Sequence, residues 1–336
     1  MSDPSVTTPS TTAVPRITSR FGARSSALEV VQGVSLRGQN AMVTGGAAGL
    51  GLETSRGLVA GGAAVTLAVR NLEQGEAAAT RLRQDYPGST VTVAHLDLSD
   101  LASVRRCAAS WIATGAPLHI LINNAAIMAC PLQRTPQGWE AQFATNHLGH
   151  FALITGVMPA LQHAAKANGE ARVVCLSSTG HKITGVDFDD LHFERRDYHK
   201  WKAYGQAKSA NALCALGLHV RYGGAGITAN AVHPGGIMTG LQKFLPLEEM
   251  RALGWLKADD TPLDIFKTPP QGASTSVWAA TAPELKGHGG LYLEDCQQGV
   301  PADPAQRASG YSPHIVDHDA ADRLWTVSEQ LLATVA

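Results

Sequence analysis

The 336-residue chain predicts a single doubly wound α/β domain, on three observations. Short apolar runs alternate with longer helical patterns, the rhythm of βαβ units. The runs are too short and too continuously apolar for one-sided antiparallel strands, and suit a sheet covered by helices on both faces. No internal repeat and no linker-like break follows residue 38.

The elements follow in order. The opening stretch to Arg20 is dominated by Ser, Thr and Pro; it cannot bury enough apolar area to offset its ordering entropy and is expected to be a disordered tail (1–20). Residues 21–38 read as an extension lying against the domain, and 39–336 as the domain itself. Strands are expected at 40–44, 64–69, 91–96, 118–122, 172–176, 228–232 and 290–293. Helices fall between or after them, at 50–60, 73–84, 100–113, 137–165, 203–222, 271–281 and 319–333. Thr135 and Pro136 are the expected N-cap and first residue of the long fourth helix. Residues 241–268 are expected to form a lid, with Phe244, Leu245, Leu247 and Leu253 turned inward.

Composition narrows the function. The chain is 44% apolar and 16% charged, and its 27 Lys and Arg balance 28 Asp and Glu. That excludes an electrostatic nucleic-acid binder or a polybasic membrane clamp. No apolar run approaches the ~20 residues that span a bilayer, and the first residues do not read as a secretory signal. The five cysteines are scattered without a Cys-x-x-Cys pair, so a cytoplasmic protein without a disulfide framework is expected. The 13 histidines show no metal-ligand spacing, and no metal is expected.

Three motifs carry chemistry. After the first strand comes Thr44-Gly45-Gly46-Ala47-Ala48-Gly49-Leu50-Gly51, then a helix. Glycines let the backbone approach a pyrophosphate, and the helix N-terminus offers free N–H groups. The second strand ends in Arg70-Asn71. An acidic residue there would favour NAD, whereas a guanidinium grips a 2′-phosphate, so NADP is the expected cofactor, in preference to NAD. A surface ion pair is the alternative role for Arg70. Third, Tyr204 and Lys208 lie four residues apart on an expected helix, which puts them on one face. Leu213, Leu216 and Val220 lie roughly opposite, on the face expected to be buried. A neighbouring ammonium and a positive nicotinamide ring both stabilise a phenolate, so Tyr204 can serve as a general acid/base.

The glycine spacing, Gly-x-x-x-Gly-x-Gly after Thr44, resembles the short-chain dehydrogenase/reductase superfamily in its shorter-chain subclass. Tyr-x-x-x-Lys, the Ser177-Ser178 pair after the fifth strand, Asn123-Asn124-Ala125-Ala126 after the fourth and Pro234-Gly235 to Thr239 after the sixth extend the resemblance. The insert from Gly185 to Ala203, Asn146-His147-Leu148-Gly149-His150-Phe151 and Lys267-Thr268-Pro269-Pro270-Gln271-Gly272-Ala273 look like its retinol-dehydrogenase-like branch.

The resemblance implies a Rossmann domain with a seven-stranded, mostly parallel sheet. It implies that Tyr204 is the general acid/base, Ser178 positions the reacting oxygen, and Asn146 holds a water that links Lys208 to solvent. The implied cofactor contacts are Gly45, Ala48, Gly49, Leu50, Gly51, Arg70, Asp97, Leu98, Asn124, Ala125, Tyr204, Lys208, Pro234, Gly235 and Thr239. A substrate pocket is expected from Ile127 and Met128, Thr179 to His181, and Ile237 and Met238. A second-shell or surface role is the alternative for His181. No cation is placed to pair a substrate carboxylate, so an apolar, bulky or cyclic carbonyl or secondary alcohol is expected. The resemblance leaves homo-oligomer, monomer and membrane-associated forms open. A catalytically silent nucleotide-binding scaffold and a lyase or isomerase on the same fold are the rival functions.

Overall fold

The computed structural model describes residues 15–305 and 308–335. Strands β1 (Asn40–Thr44), β2 (Ala64–Val69), β3 (Val91–His95), β4 (Ile120–Asn123), β5 (Ala171–Leu176), β6 (Ile227–His233), β7 (Tyr292–Glu294) and β8 (Gln297–Gln298) form one sheet. Its order is β3-β2-β1-β4-β5-β6-β7-β8. All neighbours are parallel except β7 and β8. The doubly wound class is as expected, but the sheet has eight strands rather than seven. The extra one is a two-residue antiparallel return, too short to leave an apolar pattern.

The helices are α1 (Ala27–Val31), α2 (Gly49–Ala60), α3 (Leu72–Asp85), α4 (Leu101–Ala113), α5 (Ala141–Phe143), α6 (Gly149–Gly156), α7 (Met158–Asn168), α8 (Lys200–Tyr222), α9 (Leu247–Ala252), α10 (Pro269–Gly272), α11 (Ser274–Thr281) and α12 (His318–Ala333). Two apolar cores lie on opposite sides of the sheet. One gathers Phe143, Leu148, Phe151, Leu213 and Trp325. The other gathers Leu58, Leu67, Val277 and Trp278. Strand order reverses between β1 and β4, and ligands of open α/β sheets bind outside the strand C-termini at such a point.

Three expectations need correction. The helix expected over 137–165 is broken. Thr135 is not its cap: the chain turns there, Gly138 N–H donating to the Thr135 carbonyl at 2.8 Å. The buried Glu140 carboxylate caps α5 instead, accepting from Gln142 and Phe143 N–H at 3.0 and 2.7 Å. A π-turn then runs over Ala144–Leu148. A Cβ on Gly149 would sit 2.3 Å from the Leu98 carbonyl, so the helix passes the connection after β3 too closely for most side chains.

The second correction concerns the N-terminus. Residues 1–14 lie outside the described residues, but the docked chain begins before Phe21. Arg16 Nε donates to the Gln298 carbonyl, Gln298 N–H to the Ile17 carbonyl at 2.8 Å, and Ser19 Oγ to the Cys296 carbonyl at 2.7 Å. The short β8 thus receives a partner, which docks residues 16–19 against it. The extension continues into α1, where Ser26 and Glu29 make a capping box and Val30 and Val31 are buried.

Third, α8 has no solvent-exposed face over most of its length. Every residue from Ala203 to Leu218 is buried, because the helix packs on β5 and β6 on one side and α12 on another. Val220, expected inside, is 57% exposed.

Candidate functional site

The tips of β1 and β4 are pinned to each other. Thr44 Oγ1 accepts the N–H groups of Asn124 and Ala125, each at 2.9 Å, and Asn124 Nδ2 donates to the Thr44 carbonyl at 2.8 Å. His150 Nδ1 lies 2.9 Å from the Asn146 carbonyl, which can only accept, so Nδ1 carries the proton. Its Nε2 then accepts from Thr44 Oγ1 at 2.8 Å. Burial pushes this imidazole down to about 4, which keeps it neutral in that tautomer.

The glycine loop wraps this platform. Gly45 and Gly49 have φ of +66° and +51°, which favours glycine. A Cβ on Gly51 would lie 2.2 Å from the Gly45 carbonyl oxygen and 2.6 Å from Asn124 Nδ2. No side chain caps α2 at Ala48, so its first-turn N–H groups are left for another acceptor. Gly45, Ala48, Gly49, Leu50 and Gly51 line a cavity of about 1160 Å³, as do Arg70, Asn124 and Ala125. An adjoining cavity of about 240 Å³ adds Asp97 and Leu98. Asp97 Oδ1 accepts from Ser99 N–H and Oγ at 2.9 and 2.6 Å. Arg70 is exposed and makes no ion pair among the described residues.

Ser178, Tyr204 and Lys208 border the same large cavity. Tyr204 and Lys208 share one face of α8, with Nζ 5.6 Å from the phenol ring centroid. The Ser177 hydroxyl donates to the Lys208 carbonyl at 2.8 Å, so it ties β5 to α8. Its neighbour Ser178 also borders the cavity, and its hydroxyl is not tied to α8: its Oγ accepts Gly180 N–H at 3.1 Å. Lys208 Nζ and Asn211 Nδ2 both donate to the Leu176 carbonyl, at 2.9 and 2.8 Å.

Of the two positive charges expected to acidify Tyr204, Lys208 and the nicotinamide ring, the chain itself contributes only Lys208. Burial pushes the Tyr204 phenol up to about 12, against a smaller pull downwards from the Ser178 hydroxyl. Burial pushes Lys208 down to about 8. Both groups are nearly out of water and Nζ is turned to a carbonyl, so desolvation governs both shifts.

Several expected residues stand elsewhere. The Asn146 carboxamide makes two 2.9 Å hydrogen bonds, accepting from Ile127 N–H and donating to its carbonyl. Each end of the carboxamide keeps one further hydrogen-bonding position, and the backbone carbonyl of Asn146 meets His150 Nδ1. His181 is fully buried and does not line the cavity. Its Nδ1 donates to the Ser178 carbonyl at 2.6 Å and its Nε2 accepts Ser312 N–H at 3.1 Å, so it supports Ser178 from behind. Met128, Thr179 and Ile237 line the cavity but Met238 does not. In the lid, Leu245 is buried beside Tyr204 and Met128 and Leu253 reaches the cavity. Leu247 is 43% exposed and points away from it.

Thr239 Oγ1 caps the turn that follows it, accepting Leu241 N–H at 3.2 Å, and its Cβ faces the glycine loop at Gly49. Pro234 and Gly235 border the cavity, and Gly235 has φ +97°. Lys267 supports that loop unforeseen. Its N–H donates to the Gly236 carbonyl at 2.8 Å, its Cε would lie 2.7 Å from a Cβ on Gly235, and Nζ meets Asp295 at 2.5 Å. The Lys267–Ala273 motif was legible, but not the contact, which joins residues far apart in sequence.

The four most perturbed imidazoles give a prediction. His147, His150, His181 and His233 are buried, and burial lowers them to about 3, 4, 4 and 3. The unfolded chain therefore takes up more protons below pH ~6.5, and each histidine removes about 1.4 kcal/mol of stability per pH unit down to its folded value. Burial raises the carboxyls of Glu140 and Glu294, which opposes this in part. The urea midpoint should fall steeply from pH 6.5 to 4.5; a flat midpoint would contradict the burial assigned to these rings.

Comparison with known proteins fits this geometry. Residues 39–249 match the short chain dehydrogenase family. A Streptomyces antibioticus protein named "Probable oxidoreductase" is 46% identical over 87% of this chain and 97% of its own length. The crystal structure of an uncharacterized protein from Mycobacterium paratuberculosis aligns with TM-score 0.67 and 34% identity, over 89% of this chain and 95% of that one. The NADP active-site complex of Pseudomonas aeruginosa RhlG aligns with TM-score 0.59 and 25% identity, over 77% and 95%.

The chain belongs to the short-chain dehydrogenase/reductase family and is an oxidoreductase of that type. The family binds NAD(P), and the residues here fit such a group: the glycine cradle would be filled by a single Cβ, and it opens on a cavity that continues to Tyr204. Among the described residues no cluster of His, Cys, Asp and Glu could hold a metal, and no helix is long and apolar enough to cross a membrane.

Proposed function

We propose that the protein is an NADP-dependent oxidoreductase acting on a carbonyl or secondary alcohol of an apolar, bulky or cyclic molecule. What carries this reading is that Ser178, Tyr204 and Lys208 border the same cavity as the glycine loop and Arg70. When bound, NADPH supplies the hydride, two electrons and one hydrogen nucleus, and is left as NADP⁺.

The chain supplies the rest. The Tyr204 phenol donates the proton to the carbonyl oxygen as the C–O π bond opens, and in the reverse direction its phenolate takes the proton back. A phenol held near 12 is fully protonated at neutral pH, which suits it to act as the acid in reduction. The Ser178 hydroxyl orients the reacting oxygen, with its loop braced by His181. Lys208 holds the ribose side of the site and supplies positive charge to the phenolate. Asn146 fixes Ile127 at the cavity edge, and a water held by its remaining hydrogen-bonding positions would link Lys208 to solvent. Met128, Leu241, Leu253 and Trp255 line the outer cavity, exclude water and favour an apolar substrate. A cytoplasmic location remains part of the proposal, which holds equally for a monomer and a homo-oligomer.

The test is loss of NADPH absorbance over a panel of apolar ketones; no turnover on any would contradict the reading. The NADP preference has its own test. Arg70 and Lys243 both border the two cavities and can face a 2′-phosphate. Arg70→Asp should lower kcat/KM for NADPH by roughly 100-fold while NADH loses little, since a charge-assisted bond is lost and repulsion added. An unchanged NADPH/NADH ratio would remove Arg70 from the cofactor site.

A further inference from the structure

Beyond Tyr204, the cavity wall continues as a succession of rings. Trp201, three residues earlier on α8, meets the Tyr204 ring edge-on, with centroids 6.3 Å apart and planes at 84°. Trp255 meets Trp201 at 6.0 Å and 80°, and Phe266 meets Trp255 at 6.0 Å and 71°. All four line the cavity. Of 19 aromatic residues (6 Trp, 6 Tyr, 7 Phe), four thus stand in one unbroken line that begins at the candidate acid.

The line is held from both ends. Trp201 Nε1 donates to Glu249 Oε1 at 3.1 Å, while Glu249 Oε2 pairs with Lys200 Nζ at 2.5 Å, so α9 clamps the indole to the start of α8. At the far end Arg24, from the N-terminal extension, donates to the carbonyls of Phe266 and Asp264 at 3.0 and 2.7 Å. Between them Leu263 N–H donates to the Trp255 carbonyl at 3.0 Å. Rings fixed in this way lose little freedom when a ligand arrives. Facing them, Met128 offers a thioether, which also favours aromatic contact.

An apolar wall of leucines would bury a saturated ring equally well. Aromatic rings set edge to face add an attraction to another π system that a saturated ring does not receive. We propose that the substrate carries an aromatic ring close to its carbonyl or carbinol carbon, that this ring seats against Trp201, Trp255 and Phe266, and that Trp255 sets the preference for it. The inference rests on the functional reading above, because it takes Tyr204 as the point where the reacting oxygen sits.

The experiment compares 2-tetralone with 2-decalone. The two share a carbon skeleton and carbonyl position, and neither carbonyl is conjugated, so chemistry at the reacting carbon is matched. The NADPH-loaded protein should show about tenfold higher kcat/KM for 2-tetralone, carried mainly by KM. Trp255→Leu should reduce that ratio to within twofold, and Trp255→Phe should retain most of it, with NADPH affinity reporting that both variants are folded. Equal kcat/KM for the two ketones in the wild type, or a ratio that survives Trp255→Leu, would overturn the inference. If neither ketone is reduced, the functional reading fails, and calorimetric binding of both ketones to the NADP⁺-loaded protein decides the ring preference separately: tenfold tighter 2-tetralone supports it, equal affinities overturn it.

Discussion

Tyr204→Phe should lower kcat by at least about 10³-fold, within the range that a positioned proton donor contributes, while NADPH still binds within about threefold of wild type. The substitution removes one hydroxyl from a ring that is only 5% exposed and leaves its packing against Met128 and Leu245 intact. The fold is therefore untouched, and the loss reports the proton alone. Ser178 and Lys208 keep their hydrogen bonds to Gly180 N–H and the Leu176 carbonyl, so the site remains assembled around the missing oxygen. Turnover within tenfold of wild type would refute the assignment of Tyr204 as acid/base.

Gly51→Ala should raise the NADPH Kd by about 100-fold or more and lower Tm by several degrees, as overpacking costs about 1–3 kcal/mol where nothing can yield. Its Cβ would lie 2.2 Å from one backbone oxygen and 2.6 Å from Asn124 Nδ2. Asn124 cannot swing aside without giving up its 2.8 Å bond to the Thr44 carbonyl, which joins β1 to β4. The loop must then open, and the amides that would cradle a pyrophosphate move apart. Gly22→Ala is the control, because a Cβ there meets nothing within 4 Å. Equal nucleotide affinity in Gly51→Ala and wild type would show that this loop is not the cradle.

Local signals in the sequence reached far but stopped at contacts between distant residues. β1 and β2 run over Asn40–Thr44 and Ala64–Val69, the spans expected from their apolar runs, because a strand buried on both faces writes itself as a continuous run. The glycine loop and the Tyr204–Lys208 pair were legible for the same reason: their geometry is set within a few residues. The break after Thr135 was not, since it depends on Glu140 turning back on its own N-terminus and on Asn146 bonding Ile127. His181 has the sequence position of a pocket residue, yet Ser312 N–H, 131 residues away, draws its ring inward. The aromatic line needs α8, the segment after α9 and the N-terminal extension together, and no window of sequence contains all three.

Lys208 alone does not acidify the Tyr204 phenol, for a physical reason. Position on a shared helix face brought a cation near the phenol, but it could not reveal that both groups leave water. With only its own groups the chain holds Tyr204 near 12 and Lys208 near 8, so added positive charge beside the phenol should matter most.

A phenolate difference spectrum, wild type minus Tyr204→Phe, titrated with and without saturating NADP⁺, tests the central claim most directly. The account predicts that the Tyr204 phenolate forms near pH 12 in the protein alone and below pH ~10 when the positively charged nicotinamide lies beside it. A phenolate that forms at the same pH in both titrations would mean that the nucleotide does not bind against Tyr204, and would contradict the mechanism.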